Sequence, residues 1–203
     1  MPYGLTPGAI LDFWIGPAAE DYLAARKRNK LWFIKSEKTD RLIQTQYEPV
    51  LQAIAADQAA AWREAGPRAR LAAIIVLDQF SRNIYRGQAK AFSQDAMALS
   101  LAQDALDARE DETLTEVERT FLYLPFEHSE APENQFRSVE LFERLAQEAR
   151  SAFKPICQSS LDYAYQHRDV IAKFGRFPHR NAILGRKNTP AEAVYLAEPG
   201  SGF

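Results

Sequence analysis

The sequence predicts an all-α protein, and three observations lead there. Apolar residues recur at three-and-four spacing through most of the chain, helix-starting Thr-Pro and Thr-x-x-Glu patterns recur between them, and no turn pair joins alternating β-branched runs. Thr6-Pro7 opens a first helix in the N-cap then N1 manner, with Ile10, Leu11, Phe13 and Trp14 as its apolar side and Gly16-Pro17 as its end. A short second helix passes through Tyr22 and Leu23. From about Thr39 a longer stretch carries Leu42, Ile43, Tyr47, Val50, Leu51 and Ile54 toward Trp62, with a break or kink expected at Pro49 and an end at Gly66-Pro67.

The next helix is expected from Pro67 to about Phe80, apolar on most sides, which puts Asp78 and Arg82 one turn apart at its end. A loop through Tyr85-Arg86-Gly87 and an amphipathic helix from about Ser93 to Ala108 follow. Thr115 and Glu118 form a capping box that opens a helix through Phe121, Leu122 and Leu124, which Pro125 is expected to stop. Pro132 begins a long amphipathic helix with Phe136, Val139, Leu141, Phe142 and Leu145. Pro155 begins the last long one, through Leu161, Ala164, Ile171 and Phe174, and Thr189-Pro190-Ala191-Glu192 caps a final short helix. Short connections favour antiparallel neighbours, so the expected architecture is one domain over 1–203 of stacked helical hairpins, a TPR-like right-handed α-α superhelix or an irregular bundle. No thirty-four-residue repeat is visible. Trp14, Trp32, Phe33 and Trp62 sit within apolar patterns and read as core.

At 203 residues, 46% hydrophobic and 26% charged, the chain is long enough to bury a substantial core and ordinary for a globular protein. Its longest near-apolar run, Leu71 to Leu77, is far below the ~20 residues that cross a bilayer, and MPYGLTPGAILDFW lacks a basic region followed by an apolar core. The single cysteine, Cys157, excludes an intramolecular disulfide and reads as buried filler. These features predict a cytoplasmic protein with no membrane partner. A net charge of −2 gives no general attraction to nucleic acid. The charge is unevenly spread: between Arg109 and Arg150 eleven acids face five arginines, whereas Arg168 to Lys187 holds six bases and the single acid Asp169. Those two segments can attract each other, as a neutralised surface or as the wall of an anion pocket.

Three polar islands interrupt the apolar pattern. Asp78-Gln79-Phe80-Ser81-Arg82-Asn83 and Phe174-Gly175-Arg176-Phe177-Pro178-His179-Arg180-Asn181 both place an Arg-Asn pair after a phenylalanine, and Glu127-His128-Ser129-Glu130 lies between them. Arg82, Arg86, Arg176, Arg180 and Arg186 fall in loops or helix ends, where planar donor forks can converge on a phosphate or carboxylate. The competing account is a brace: Asp78 reaches Arg82 at helical spacing, and Glu127 or Glu130 neutralises Arg176 or Arg180. His128 and His179 are the candidate proton-transfer groups, with Glu130 as a carboxylate to orient an imidazole, while His167 reads as a satisfied helix-face histidine. Asn83 and Asn181 are candidates to orient a ligand or to cap helix ends. His128-x-Glu130 and His167-x-Asp169 are poorly spaced for an ion on a helix, and the excess of arginine opposes a bound cation, so no metal and no cofactor is expected.

In Leu77-Asp78-Gln79-Phe80-Ser81-Arg82-Asn83, the step His128-Ser129-Glu130, and the stretch from His167-Arg168-Asp169 to Gly185, the chain resembles a bacterial family known as domain of unknown function 924. The similarity spans nearly the whole chain. It implies an all-helical fold similar to the tetratricopeptide-repeat superfamily and brings no assigned activity. Ser81 departs from it, since proline usually occupies that place.

Two functions follow from the residues. One is binding of a small anionic molecule by Asp78, Arg82, Asn83, Arg176, Arg180 and Asn181, with His128, Glu130 and His179 available for ester or phosphoester hydrolysis. The other is a protein- or peptide-binding helical scaffold in which the same islands brace the fold. The sequence does not decide whether a reaction is catalysed, and it is silent on oligomeric state.

Overall fold

The computed structural model describes residues 6–57 and 59–201, and among them no strand occurs. Helix α1 spans Pro7–Trp14 behind Thr6, whose side chain accepts from the Ala9 N–H at 3.2 Å. Helix α2 covers Tyr22–Phe33, longer than the sequence pattern implies, with Asp21 as its cap. Helix α3 covers Glu37–Ala56 and runs through Pro49 without interruption. The expected break falls later, where Ala59 takes a left-handed φ of 60° before the short α4, Ala60–Glu64.

Helix α5, Pro67–Ile74, passes into a wider π turn at Ile75–Phe80 and then into α6, Ser81–Ile84. Such turns shift the register of every side chain that follows, which a period-3.6 reading does not foresee. Helix α7 is Asp95–Asp107 and α8 is Glu116–Glu127. The capping box at α8 is present, with Glu118 Oε2 accepting from the Thr115 N–H at 2.9 Å. Pro125 does not stop α8. Proline removes only its own N–H, and the ladder resumes behind it, with His128 N–H donating to Leu124 O at 2.9 Å. Helix α9 (Pro132–Glu148) starts at its proline, α10 (Lys154–Phe174) starts one residue before Pro155, and α11 (Pro190–Leu196) carries the Thr189 capping box.

Helices α8, α9 and α10 pack in succession across the connections 128–131 and 149–153, while α5 lies against α1, α7 and α8. The core runs continuously from Ile10 to Ala164. Its aromatic centre joins Trp14 to Phe80 at 5.2 Å, and Trp32 to Phe121 at 5.2 Å, between ring centroids. Burying each such side chain contributes about 2–3 kcal/mol. Phe33 is not core: it closes α2 and is 55% exposed, leaning one ring face toward Phe121. Phe136 is also exposed, because α9 turns Gln135, Ser138, Val139 and Phe142 inward instead. A second apolar cluster of Val170, Ile171 and Phe177 holds the segment after α10, which ends on Gly175 in the left-handed conformation at φ 68°. That turn carries the third polar island back toward the first two. No helix among the described residues is long and apolar enough to cross a membrane.

Candidate functional site

The π turn places Asp78 inside the protein. Its side chain is fully buried and meets three neighbours: His128 Nδ1 lies 2.7 Å from Oδ1, Gln79 Nε2 donates to Oδ2 at 2.6 Å, and Arg82 Nη1 lies 3.2 Å from Oδ1. Burial alone would raise this carboxyl, but Arg82 and His128 hold it well below the usual carboxylate range. An ionised Asp78 fixes the neutral imidazole with its proton on Nδ1. The His128 ring is lowered from its ordinary value by burial first and Arg82 second. Nε2 makes no hydrogen bond among the described residues, and the side chain keeps 15% of its surface exposed. The carboxylate that orients His128 is therefore Asp78, and not the nearby Glu130.

Arg82 also donates to the Asp78 carbonyl at 2.6 Å and forks onto Asp95, with Nη1 to Oδ1 at 3.0 Å and Nη2 to Oδ2 at 3.1 Å. Asp95 is the first residue of α7, where a helix N-terminus favours negative charge. Arg180 reaches the same carboxylate, Nη1 to Oδ2 at 3.4 Å, and donates from Nη2 to the His128 carbonyl at 3.0 Å. Burial, then repulsion from Arg82, lowers its pKa to about 10. Glu130 accepts from the Phe177 N–H at 2.8 Å and takes the Arg186 fork at 2.7 and 2.9 Å. His179 packs with its ring centroid 5.5 Å from that of Phe177, and burial and Arg180 depress it to about 4.

The structure thus brings Asp78, Arg82, His128, Glu130, His179 and Arg180 into one connected network. It does not bring in the others. Asn83 donates to Asp40 Oδ1 at 2.8 Å beside Arg86, at a surface depression of about 250 Å³. Arg176 forks onto Glu192 at 2.6 and 2.8 Å, and Asn181 donates to Asn188 Oδ1 at 2.8 Å. The expected partner choices also change: Arg180 meets Asp95, Arg176 meets Glu192, and Glu130 meets Arg186. Ser129 Oγ accepts from Ala131 N–H and Asn134 Nδ2, so it serves the start of α9.

Beneath His128 lies a second imidazole and carboxyl. His167 Nδ1 is 2.9 Å from the Tyr163 carbonyl and 3.4 Å from Glu127 Oε1, and the two histidine rings are 6.3 Å apart between centroids. Burial and the charge of Asp78 push the Glu127 carboxyl up to about 8, and burial then His128 push His167 down to about 3. Glu127 is therefore a neutral acid at neutral pH. Sequence reasoning missed Asp95, whose only signal is an acid at a helix start, and the pairing of Glu127 with His167, which has none in the sequence. Among the described residues no three His, Cys, Asp or Glu side chains are grouped to hold a metal ion.

Comparison with known proteins agrees with the fold. Among curated proteins no relative matches the chain. A solved structure of a protein of unknown function from Agrobacterium tumefaciens is 33% identical and superposes with a TM-score of 0.77, over 94% of this chain and 96% of that one. A family model described as "Bacterial protein of unknown function (DUF924)" matches residues 10–200, nearly the full length, and the chain belongs to that family.

Proposed function

We propose that the Asp78–His128 pair, with Arg82 and Arg180 beside it, binds a small anionic molecule, a carboxylate or a phosphate, and that His128 is its proton-transfer group. One observation carries this reading: a buried carboxylate holds Nδ1 of an imidazole at 2.7 Å while Nε2 stays without a hydrogen bond among the described residues. That is how a fold presents a neutral base of fixed tautomer. In an ester or phosphoester hydrolysis, Nε2 would take the proton of the attacking water and Arg82 would face the developing negative charge. The Arg180 cation, raised in energy by burial and by Arg82, would gain from an added anion.

A second reading, a helical scaffold of TPR-like type that binds protein or peptide, is favoured by the arginines themselves. Arg82, Arg180 and Arg186 already direct donors to carboxylates and carbonyls, and Arg180 is only 7% exposed. In that reading the network braces three segments and binds nothing. Titrating the protein with inorganic phosphate and with acetate, while following the His128 ring nitrogens by NMR, separates the two. Saturable shifts at Nε2, with ligand-induced thermal stabilisation that is lost in His128→Gln when each protein is compared with its own unliganded melting temperature, support the anion site. Unshifted Nε2 signals up to concentrations on the order of 10 mM would leave the scaffold reading standing alone.

A further inference from the structure

Most of the positive charge without a carboxylate partner is gathered in one stretch, and outside it among the described residues only the lysines Lys90, Lys154, Lys173 and Lys187, well separated in sequence, lack such a partner. From Arg63 to Arg186, every arginine meets a carboxylate. Among the described residues none of Arg26, Lys27, Lys30, Lys35, Lys38 and Arg41 forms such an ion pair, and all six are exposed, though Lys35 lies near enough to Asp40 to help lower that carboxyl. Arg28, in their midst, turns the other way and donates to the Phe13 carbonyl at 2.6 Å. The same stretch carries exposed apolar side chains: Leu23 at 61%, Phe33 at 55%, Ile34 at 57% and Leu42 at 43%. The cations are well hydrated where they stand, but apolar side chains grouped among them form an area that a partner of opposite charge with apolar anchors would cover.

Their arrangement is ordered. Leu23, Lys27, Lys30 and Ile34 follow one another at spacings of four, three and four, so they form a single stripe along α2 and its end. Arg26 and Phe33 flank it on one side. The stripe is apolar at both ends and basic in the middle, with about 16 Å between the ends at 1.5 Å per residue. Helix α2 is fixed by its other side, where Ala25 and Trp32 are buried and Trp32 Nε1 donates to the Trp14 carbonyl at 2.8 Å. The stripe is therefore presented on a rigid element.

We propose that α2 and the first turns of α3 form a docking surface for an acidic segment of a partner protein, one that places apolar side chains on either side of a cluster of Asp and Glu. A membrane-surface helix needs a continuous apolar face to enter the acyl boundary, and here Lys27 and Lys30 divide that face. A nucleic acid would use the cations but leave Leu23 and Ile34 uncovered. An acidic segment with two apolar anchors covers both, as amphipathic segments do in helix and groove recognition. This surface shares no residue with the Asp78–His128 network, so its test succeeds or fails independently of that site.

The test uses the full chain and a fluorescein-labelled helical peptide with two leucines at the separation of Leu23 and Ile34 and glutamates between them, followed by anisotropy. The expected result is saturable binding that weakens roughly tenfold or more in Lys27→Glu/Lys30→Glu, severalfold in Leu23→Ser/Ile34→Ser, and progressively with salt. Both double variants change exposed side chains only, and their melting temperatures should match the parent. Absence of saturable binding overturns the proposal. So does an apolar variant that binds as well as the parent, which would reduce the effect to counterion attraction, and so does tighter binding to phosphatidylserine vesicles or to a DNA duplex than to the peptide.

Discussion

Arg180 holds its guanidinium carbon 4.6 Å from the centre of the Phe177 ring, and Phe92 packs on the same group at 4.7 Å. The charge is thus cushioned by two aromatic rings while its edges bond Asp95 and the His128 carbonyl. Phe92 precedes α7, His128 ends α8 and Phe177 follows α10, so one side chain links three parts of the chain that are distant in sequence. The basic segment and the acidic segment do attract each other, through Arg186 and Glu130 above all.

Arg180→Ala should destabilise the protein by about 3 kcal/mol or more, because it strips a partner from Asp95 and from a carbonyl in the interior and empties the space between the rings. Arg180→Lys should recover little of the loss, since a lysine has neither the planar face nor the fork. Urea denaturation at neutral pH measures both. A change below ~1 kcal/mol for the alanine variant would mean that this arginine does not hold the three segments together.

Glu127 predicts an alkaline loss of stability. Its folded pKa is raised to about 8, so the native state holds a proton that the unfolded chain, titrating near ~4.3, has released. Stability from this group is full below the unfolded value and is lost as pH rises through the folded one, with a slope of up to ~1.4 kcal/mol per pH unit. His167, at about 3, and His179, at about 4, act oppositely: their contribution is present above ~6.5 and is lost as pH falls toward those values. Stability should therefore rise toward pH ~6.5 and decline from there to about 8. Glu127→Gln should flatten that alkaline decline, and a decline that persists unchanged in the variant would place its cause elsewhere.

Cys157 is fully buried, and burial followed by the charge of Glu116 pushes its thiol up to about 12. The native protein should leave a disulfide reagent such as Ellman's reagent unreduced for as long as it stays folded, with labelling appearing at the rate of unfolding. Rapid labelling in native buffer would contradict that burial.

Helix starts were legible in the sequence because they rest on local chemistry. Thr6-Pro7, the Thr115 and Glu118 capping box, Pro132 and the Thr189 box all begin the helices they announce. Helix interiors around proline were not, since whether a proline ends a helix depends on how strongly its flanks are held by packing, and α3 and α8 both continue past theirs. The first, second and third islands were each visible as polar residues in an apolar chain. Which carboxylate would meet which arginine was not, because pairing follows the path of the backbone. The π turn rotates Asp78 inward, and Gly175 with its positive φ redirects the chain so that Arg180 arrives at Asp95 while Arg176 is left to Glu192.

Asp78→Asn tests the centre of the network, because one charge there governs two neighbours in a predictable way. Asp78 attracts the His128 proton and repels the charged form of Glu127. Replacing it with the amide should lower the pKa of His128 further, leaving burial and Arg82 unopposed, and should also lower that of Glu127 by removing a nearby negative charge. Arg82 would keep Asp95 and the carbonyl of residue 78 but lose the buried carboxylate, so a loss of stability of about 3 kcal/mol or more is expected at neutral pH. The sign of its pH dependence is fixed as well: a depressed folded carboxyl contributes stability above its unfolded pKa and loses it as pH falls, so the variant should approach the parent in acid. NMR titration of the His128 ring and of the Glu127 carboxyl carbon, in parent and variant, gives both shifts directly. A His128 pKa that rises in Asp78→Asn would show that Asp78 does not govern this imidazole, and it would remove the basis for treating His128 as an oriented base.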